Sequence, residues 1–276
     1  MPLTAPLNGS VSIMPKARLD KLIVERGLAE NRTRAQALIL AGQVLVAEQR
    51  ADKPGQMIDA ALAIRLKGEP PRYVGRGGLK LEAALGEFRI DPMGRTCIDV
   101  GASTGGFTDC LLQHGAARVW AIDVGRNQLA WKLRQDARVV VVEGRNARDL
   151  DPEQFPALFD LATIDVSFIS LAKVFPALAR CLADGADIIA LVKPQFEVGR
   201  GEVGKGGIVT DPDKHRRVLN EVAGAALSFN LLPVDVIASP ILGAEGNREF
   251  LMHLQKTGEA QTMPPAIDEK IIALTA

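Results

Sequence analysis

The sequence predicts an α/β protein with a mostly parallel sheet of seven strands, covered by helices on both faces and preceded by a small α+β module. From residue 77 onward, short apolar runs alternate with amphipathic helical stretches, which is typical of strands that pair in parallel. The 276 residues suffice for one large domain and one small one. Two adjacent prolines at 70–71 mark the boundary between them.

The front of the chain divides into three segments. Residues 1–15 carry no charged side chain and are expected to be disordered. Residues 16–69 are expected to form the small module, and 70–76 a stiff proline-containing linker. The expected elements of the module are helices over 17–26 and 31–41 and short strands near 44–46, 58 and 64–66.

Residues 77–256 are expected to form the large domain, and 257–276 a C-terminal tail. Its first helix covers 79–88. The expected strands are 96–100, 118–122, 138–142, 160–166, 186–192, 232–238 and 248–254, and the expected helices between them are 106–114, 127–134, 169–183 and 213–228. The last connection is too short for a parallel crossover, so the final two strands should pair antiparallel. Seven strands with one reversed near the end is the arrangement of class I (Rossmann-like) methyltransferases.

Charge is unevenly distributed although the chain is neutral overall. Residues 16–80 hold 13 Lys/Arg and 7 Asp/Glu, a net charge of +6, and residues 81–276 hold 20 and 26, a net charge of −6. A basic front module suggests a polyanionic partner. The three cysteines form no Cys-x-x-Cys pair, which argues against disulfides and zinc and favours a reducing, cytoplasmic location. Neither a signal peptide nor an apolar run of membrane-spanning length is evident.

A glycine-rich segment follows the first strand of the large domain. Residues 98–107 are Ile-Asp-Val-Gly-Ala-Ser-Thr-Gly-Gly-Phe, and Gly101, Gly105 and Gly106 allow a tight turn and close approach to a ligand. Asp99 would repel a pyrophosphate, whereas it suits the ammonium and sulfonium of S-adenosylmethionine. We expect Ser103 and Phe107 to contact that cofactor as well. The alternative is a purely structural turn.

Two further polar residues follow neighbouring strands. Asp123 ends the second strand, 22 residues after Gly101, an offset that suits a carboxylate binding ribose hydroxyls. Asn146 follows the third strand and is expected to reach an adenine edge. A solvent-facing acid and an ordinary loop residue are the respective alternatives.

The fourth and fifth strands also end in charged residues, Asp165 and Lys193. A lysine directly after a buried strand can act as a base, and a neighbouring carboxylate would orient it and stabilise its charged form. Asp165 also borders the expected cofactor crevice. Lys80, in the first helix of the large domain, and Glu249, which opens the last strand, complete a Lys-Asp-Lys-Glu order. Alone, each of these two is more typical of a surface charge.

These motifs resemble the TlyA (haemolysin A-like) family over about residues 16–256. The resemblance rests on Gly-Arg-Gly-Gly-Leu-Lys-Leu, Asp-Val-Gly-Ala-Ser-Thr-Gly-Gly-Phe-Thr-Asp and Leu-Val-Lys-Pro-Gln-Phe-Glu, and on a front module similar to S4 domains. It implies an S4 RNA-binding domain joined to an FtsJ-like methyltransferase domain that modifies a cytidine ribose 2′-hydroxyl in 16S and/or 23S rRNA. It also implies S-adenosylmethionine as cofactor and no metal.

By the same resemblance, Lys80, Asp165, Lys193 and Glu249 form the catalytic tetrad, with Glu245 as the alternative to Glu249. The RNA-contacting candidates are Arg18, Lys21, Arg32 and Arg34. The long glycine-containing segment 194–210 is expected to be a lid or RNA clamp, or else a disordered insertion.

Three alternatives remain at this point. One is methylation of a base, although the sequence after the fourth strand lacks an Asn/Asp-Pro-Pro-Tyr/Phe motif and no cysteine lies near the crevice. Another is an RNA-binding protein with an inactive catalytic domain. The third is a membrane lysin, which no amphipathic or apolar span supports.

Overall fold

The computed structural model describes residues 16–68, 71–199, 201–243 and 245–276. The disordered segment predicted at 1–15 lies outside these residues. The described residues form two compact units, which divide between Pro71 and Arg72.

The N-terminal unit is a small α+β arrangement. Its helices are α1 (Leu19–Glu25) and α2 (Arg32–Leu40), and its strands are β1 (Lys16–Arg18), β2 (Val44–Val46), β3 (Gln49–Arg50), β4 (Met57–Asp59) and β5 (Ile64–Leu66). Strand β1 pairs antiparallel with β4, and β2 lies between β3 and β5, antiparallel to both. The first strand was not predicted, because it is only three residues long and runs directly into α1.

A buried carboxylate organises the polar side of this unit. Asp20, in the first turn of α1, is fully buried. It accepts hydrogen bonds from Arg18 (3.0 and 2.9 Å), Arg32 (2.9 Å) and Gln36 (3.0 Å). The hydrogen bond from Arg18 is the largest effect on Asp20 and holds the pKa of its carboxyl far below the usual range, despite its burial.

The second unit is built on a single seven-stranded sheet. Its strands are β6 (Thr96–Val100), β7 (Arg118–Asp123), β8 (Val139–Glu143), β9 (Phe159–Ile164), β10 (Leu182–Val192), β11 (Leu231–Ala238) and β12 (Phe250–Lys256). Its helices are α3 (Gly77–Phe88), α4 (Gly106–Gln113), α5 (Trp131–Arg134), α6 (Phe175–Arg180), α7 (Pro194–Glu197), α8 (Pro212–Leu227) and α9 (Pro265–Leu274).

The strand order is β11-β12-β10-β9-β6-β7-β8. Strand β12 is antiparallel to both of its neighbours, whereas the pairs from β10 to β8 are parallel. The predicted fold class and the antiparallel pairing of the last two strands are therefore confirmed. The carboxyl ends of β6, β7, β9 and β10 meet at one edge of the sheet, because parallel strands end on the same side.

Two apolar layers cover the sheet, one on each face. Alternate residues of β6 show the division: Ile98 and Val100 pack in the layer with α6, α8 and α9, whereas Cys97 packs in the layer with α3 and α4. This alternation follows from the two-residue period of a strand. Both faces are apolar, which explains why the strands appear in the sequence as continuous apolar runs.

The second unit differs from the expected elements in several places, and the helix predicted over 127–134 is only the single turn α5. The helix predicted over 169–183 is a short 3-10 turn at Leu171–Lys173 followed by α6, and β10 already begins at Leu182. Tyr73, assigned to the linker, is buried in the layer that contains α3 and α4. The segment 257–276, expected as a tail, contains α9, which contributes Ile267 and Ile271 to the core. In the described residues, no helix combines the length and apolar character needed to cross a membrane.

Replacing Asp20 by Asn should destabilise the N-terminal unit by about 2 kcal/mol at pH 7. This is less than the cost of stranding a buried charge, because both arginines can still reach water. Since the folded pKa of Asp20 is depressed, its contribution is present above the unfolded pKa of about 4 and is lost as the pH falls below it. Hydrogen exchange of the α1 and α2 amides in the intact chain measures the effect.

Asp52→Asn is the matched control, because Asp52 is exposed on the same unit. Equal exchange rates in the Asp20 and Asp52 variants would show that the Asp20 network adds no stability.

Candidate active site

The glycine loop lies directly against the end of β9. Gly101 and Gly105 have φ values of +86° and +99°, in the left-handed region that glycine adopts without strain. A Cβ atom on Gly101 would lie 2.4 Å from the carbonyl oxygen of Asp165. Backbone bonding joins the same two segments, since the Asp165 amide donates to Val100 at 2.9 Å. The contact with the loop therefore fixes the position of the Asp165 backbone at the end of β9.

Gly106 has a second close contact. A Cβ atom there would lie 3.0 Å from the Gly78 nitrogen, so the start of α4 packs against the start of α3 without an intervening side chain. Phe107 is buried beside this contact, and Ser103 is exposed on the loop with a φ of +48°. The cofactor contacts expected of these residues remain predictions.

Asp123, at the end of β7, connects the glycine loop to the next turn. Its Oδ2 accepts a hydrogen bond from the Ser103 amide at 2.7 Å, and its Oδ1 accepts one from the Gly125 amide at 2.6 Å. Each carboxylate oxygen can accept a further bond. The expected contact with ribose hydroxyls is thus compatible with this geometry.

Asn146 follows β8 and begins a 3-10 turn. Its side-chain oxygen accepts a hydrogen bond from the Arg148 amide at 3.1 Å. The adenine contact that we expect would therefore use the other end of the amide.

Asp99 lies beneath the glycine loop, not on its surface. Its carboxylate is fully buried and accepts hydrogen bonds from the hydroxyls of Thr108 (2.6 Å) and Thr163 (2.9 Å). Burial raises the pKa of Asp99 to about 6, although these two hydroxyls favour its charged form. A direct contact with a ligand, as the sequence suggested, would require this carboxylate to be uncovered.

Lys193 and Asp165 form an ion pair at the edge where β9 and β10 end. Lys193 Nζ lies 2.6 Å from Asp165 Oδ1 and donates a hydrogen bond to Ser167 Oγ at 3.0 Å. Their side chains are 12% and 24% exposed, so the pair is partly shielded but reachable from solvent. This is the juxtaposition that the sequence predicted for the two strand ends.

Lys80 and Glu249 form a second, more deeply buried ion pair. The Nζ–Oε2 distance is 2.5 Å, and the side chains are 10% and 3% exposed. Glu245 is exposed, so the carboxylate that meets Lys80 is that of Glu249.

The first turn of α3 connects this pair to the other. A Cβ atom on Gly77, three residues before Lys80, would lie 3.7 Å from Asp165 Oδ2. All four charged residues of the expected tetrad therefore lie around the start of α3.

Two phenylalanines next to the charged pairs were not singled out from the sequence. Phe168 is 90% exposed, and its φ of +63° is unusual for a bulky residue. Its ring centroid lies 4.8 Å from that of Phe196, and Lys193 Nζ lies 5.8 Å from the Phe196 ring. Each phenylalanine follows a tetrad residue by three positions, which was the available sequence signal.

The segment 194–210 is anchored at several points where it is described. The buried Asn247 side chain bonds to the Gly207 carbonyl and the Val209 amide, both at 2.9 Å. Glu202 pairs with Arg217 of α8 at 2.7 Å. These contacts tie the segment to α8 and to the connection that carries Glu249. Its role as lid or clamp remains a prediction.

The RNA-binding candidates of the N-terminal unit differ in their surroundings. Arg18 and Arg32 both pair with Asp20, with side chains 45% and 56% exposed. Lys21 pairs with Glu25 at 3.5 Å. Arg34 is exposed and makes no ion pair within the described part of the chain. Of the four, Arg34 has the least compensated charge.

The described residues contain no cluster of three or more His, Cys, Asp or Glu side chains that could hold a metal ion.

The burial of Asp99 leads to a pH-dependent prediction. Its folded pKa lies above the unfolded value of about 4, so the wild-type protein loses stability as the pH rises through this window. Relative to Asp99→Asn, the unfolding free energy of the wild type should therefore fall by about 2 kcal/mol between pH 4 and pH 7.5. Urea unfolding of both proteins at the two pH values measures the change.

Asp184→Asn, which alters an exposed carboxyl, serves as control and should show no such dependence. If the difference in unfolding free energy between the wild type and Asp99→Asn were the same at both pH values, burial would not raise the pKa of Asp99.

Comparison with known proteins supplies independent information on the family. The model of the FtsJ-like methyltransferase family matches residues 73–256, and that of the S4 domain matches 17–62. The Bacillus subtilis protein YqxC is 52% identical over 258 residues, which cover 93% of this chain and 92% of YqxC.

A Mycobacterium tuberculosis protein named 16S/23S rRNA (cytidine-2′-O)-methyltransferase TlyA is 48% identical, with coverage of 87% of this chain and 90% of the relative. A solved structure from Streptococcus thermophilus that carries a hemolysin name is 48% identical, covers 95% of this chain and 96% of that chain, and superposes with a TM-score of 0.73.

The family model spans most of the chain and the relatives span nearly all of it, so the family predicted from the motifs is confirmed. This chain belongs to the FtsJ-like methyltransferase family, in the TlyA (hemolysin A-like) group that carries an S4 domain ahead of the methyltransferase domain.

Proposed function

We propose that this chain transfers a methyl group from S-adenosylmethionine to the ribose 2′-hydroxyl of a cytidine in 16S and/or 23S rRNA, and that it acts in the cytoplasm. The observation that carries the proposal is the 2.6 Å ion pair between Lys193 and Asp165 beside the glycine loop. The name of the Mycobacterium tuberculosis relative supports the choice of substrate.

The residues around the glycine loop fit a cationic methyl donor. Asp123 and Asp165 present carboxylates at the ends of β7 and β9, on either side of β6, and Gly101 and Gly105 adopt the left-handed backbone conformation of the loop between them. S-adenosylmethionine, when bound, supplies a methyl group on a sulfonium, whose sulfur leaves as a neutral thioether. Asp123 would hold ribose hydroxyls of the cofactor, and Asn146 its adenine.

The two ion pairs suit a hydroxyl acceptor. A ribose hydroxyl is a weak acid, so its oxygen must lose a proton as it bonds to the methyl carbon. Lys193, as the neutral amine left after its ammonium releases a proton to solvent, would take the proton of the hydroxyl, and Asp165 would stabilise the ammonium that forms again. Lys80, held by Glu249, would position the hydroxyl and stabilise negative charge on its oxygen.

The contact between the exposed Phe168 and the half-buried Phe196 supports a nucleotide as the substrate. Phe168 and Phe196 lie next to Lys193 and offer a ring face on which an unstacked base can rest. The positive φ of Phe168 costs of order 1 kcal/mol, and such strain is commonly retained where the side chain serves a ligand.

The alternative is an RNA-binding S4 protein whose methyltransferase domain modifies a base or is inactive. Both ion pairs are preassembled in the chain, which favours an active enzyme. The lysine between the aromatic pair and Asp165 favours a hydroxyl over a base nitrogen as the acceptor.

Lys193→Ala should reduce methyl transfer to rRNA by about a hundred- to ten-thousand-fold, the range expected when a positioned acid–base group is lost. Transfer of radiolabelled methyl groups to ribosomal subunits measures the rate, and mass spectrometry of the rRNA identifies the nucleotide. Binding of S-adenosylmethionine and of RNA should change little.

Lys173→Ala, at an exposed lysine, is the control and should retain wild-type activity. Full activity in Lys193→Ala would refute the proposed mechanism. A methylated base in place of a methylated ribose would favour the alternative.

Arg34→Ala should weaken binding to an rRNA fragment and lower the slope of log affinity against log salt by about 1, because one phosphate contact is lost. Filter binding at several salt concentrations gives both values. Arg138→Ala is the control, since Arg138 pairs with Asp136 at the surface of the other unit. An unchanged salt slope in Arg34→Ala would remove Arg34 from the RNA interface.

A further inference from the structure

Gln195 lies between the two ion pairs but is not one of the four charged residues. It belongs to α7, the single turn that begins one residue after Lys193. Pro194 opens this turn and is buried, so the direction of the chain after Lys193 is fixed. The side chain of Gln195 therefore has a defined position relative to Lys193.

The amide of Gln195 binds the oxygen of Glu249 that Lys80 leaves free. Gln195 Nε2 lies 3.4 Å from Glu249 Oε1, whereas Lys80 Nζ lies 2.5 Å from Glu249 Oε2. A carboxylate only 3% exposed needs donors for both oxygens. Gly243 leaves room for this oxygen, since a Cβ there would lie 2.5 Å from Glu249 Oε1. Glu249 is thus held by two donors, Lys80 and Gln195.

The other end of the same amide has no partner. An ionised carboxylate accepts hydrogen bonds and donates none, so the NH₂ group of Gln195 must face Glu249 and the carbonyl must face away. Gln195 Oε1 is buried and accepts no hydrogen bond within the described residues. A buried acceptor without a donor is unfavourable, and it is the kind of exception that a bound ligand removes.

We propose that Gln195 is a positioning residue that holds Glu249, and through it Lys80, while its carbonyl oxygen accepts a hydrogen bond from the target ribonucleotide. The inference rests on the proposed function, because it takes the nucleotide as the source of the missing donor. This role explains why a neutral residue lies between two charged pairs. A lysine at position 195 would compete with Lys80 for Glu249, and a carboxylate there would repel Glu249.

Two nearly isosteric variants separate the roles of the amide. Gln195→Met removes donor and acceptor alike, whereas Gln195→Glu keeps an acceptor but sets a second carboxylate against Glu249. We expect Gln195→Met to lower kcat about ten- to a hundred-fold and to raise KM for RNA several-fold, with S-adenosylmethionine affinity within twofold of wild type.

The pH profile gives a readout that a merely structural role would not change. As the pH falls, the two facing carboxyls of this variant can share a proton, which restores a donor to Glu249. The ratio of Gln195→Glu activity to wild-type activity should therefore rise at least fivefold from pH 8.5 to pH 6, whereas the ratio for Gln195→Met should stay flat. A flat ratio for Gln195→Glu, or wild-type kcat in Gln195→Met, would overturn the proposal.

A thermal-unfolding cycle tests the contact without substrate. The change in Tm caused by Gln195→Met should differ between the wild type and a Glu249→Gln background, because the two residues are coupled. Gln154→Met, at an exposed glutamine, should shift Tm equally in both backgrounds. Equal shifts for Gln195→Met would contradict the contact. If wild-type protein transferred no methyl group to rRNA, the proposed function would fail, while this cycle would still decide on the Gln195–Glu249 contact.

Discussion

The buried ion pair between Lys80 and Glu249 is the contact on which the arrangement of the site depends. It joins Lys80 of α3, at the start of the methyltransferase domain, to the residue directly before β12, 169 residues further along the chain. Removing one member of such a pair strands the other charge in a region that water hardly reaches, at a typical cost of 3–5 kcal/mol. The pair therefore forces the last strand of the sheet, the start of α3 and the edge that carries Asp165 and Lys193 into one fixed relation. Strand β12 can reach this position because it runs opposite to its neighbours and begins at the edge where they end.

The turn α7, which follows Lys193, connects this ion pair to the surrounding loops. Gln195 contacts Glu249, Phe196 contacts Phe168, and Glu197 accepts a hydrogen bond from the Leu171 amide at 2.9 Å. Burial raises the pKa of the half-buried Glu197, although the hydrogen bonds from the Leu171 amide and Ser170 favour its charged form. Three successive side chains of one turn thus contact two segments, the connection that precedes β12 and the connection that follows β9. The close approach at Gly101 adds the glycine loop to the same assembly.

Much of the fold and part of the site follow from the sequence for identifiable reasons. The strands were predictable because both faces of the sheet are apolar, and the Asp165–Lys193 contact because parallel strands end at one edge. The burial of Asp99 could not be predicted, because the sequence does not show which helix covers the face of the sheet that carries its side chain. Its hydrogen-bond donors, Thr108 and Thr163, come from other elements. Gln195 escaped notice because a neutral amide carries no signal until its carboxylate partner, 54 residues away, is placed beside it. The choice between Glu249 and Glu245 likewise needed the position of Lys80.

The Asp20 network lowers the positive charge that the N-terminal unit presents to a partner. Arg18 and Arg32 share one internal carboxylate, so the three groups together present a single net charge to an approaching polyanion. Distant attraction is correspondingly weaker than the count of basic residues implies. In return, both guanidinium planes are already oriented before any partner arrives, and little side-chain entropy remains to be lost on contact. An RNA phosphate at this surface would meet two guanidinium groups of fixed orientation, whose two positive charges are partly neutralised by Asp20. Such a pair would select RNA by the position of its phosphates, and would bind it less tightly than two uncompensated arginines.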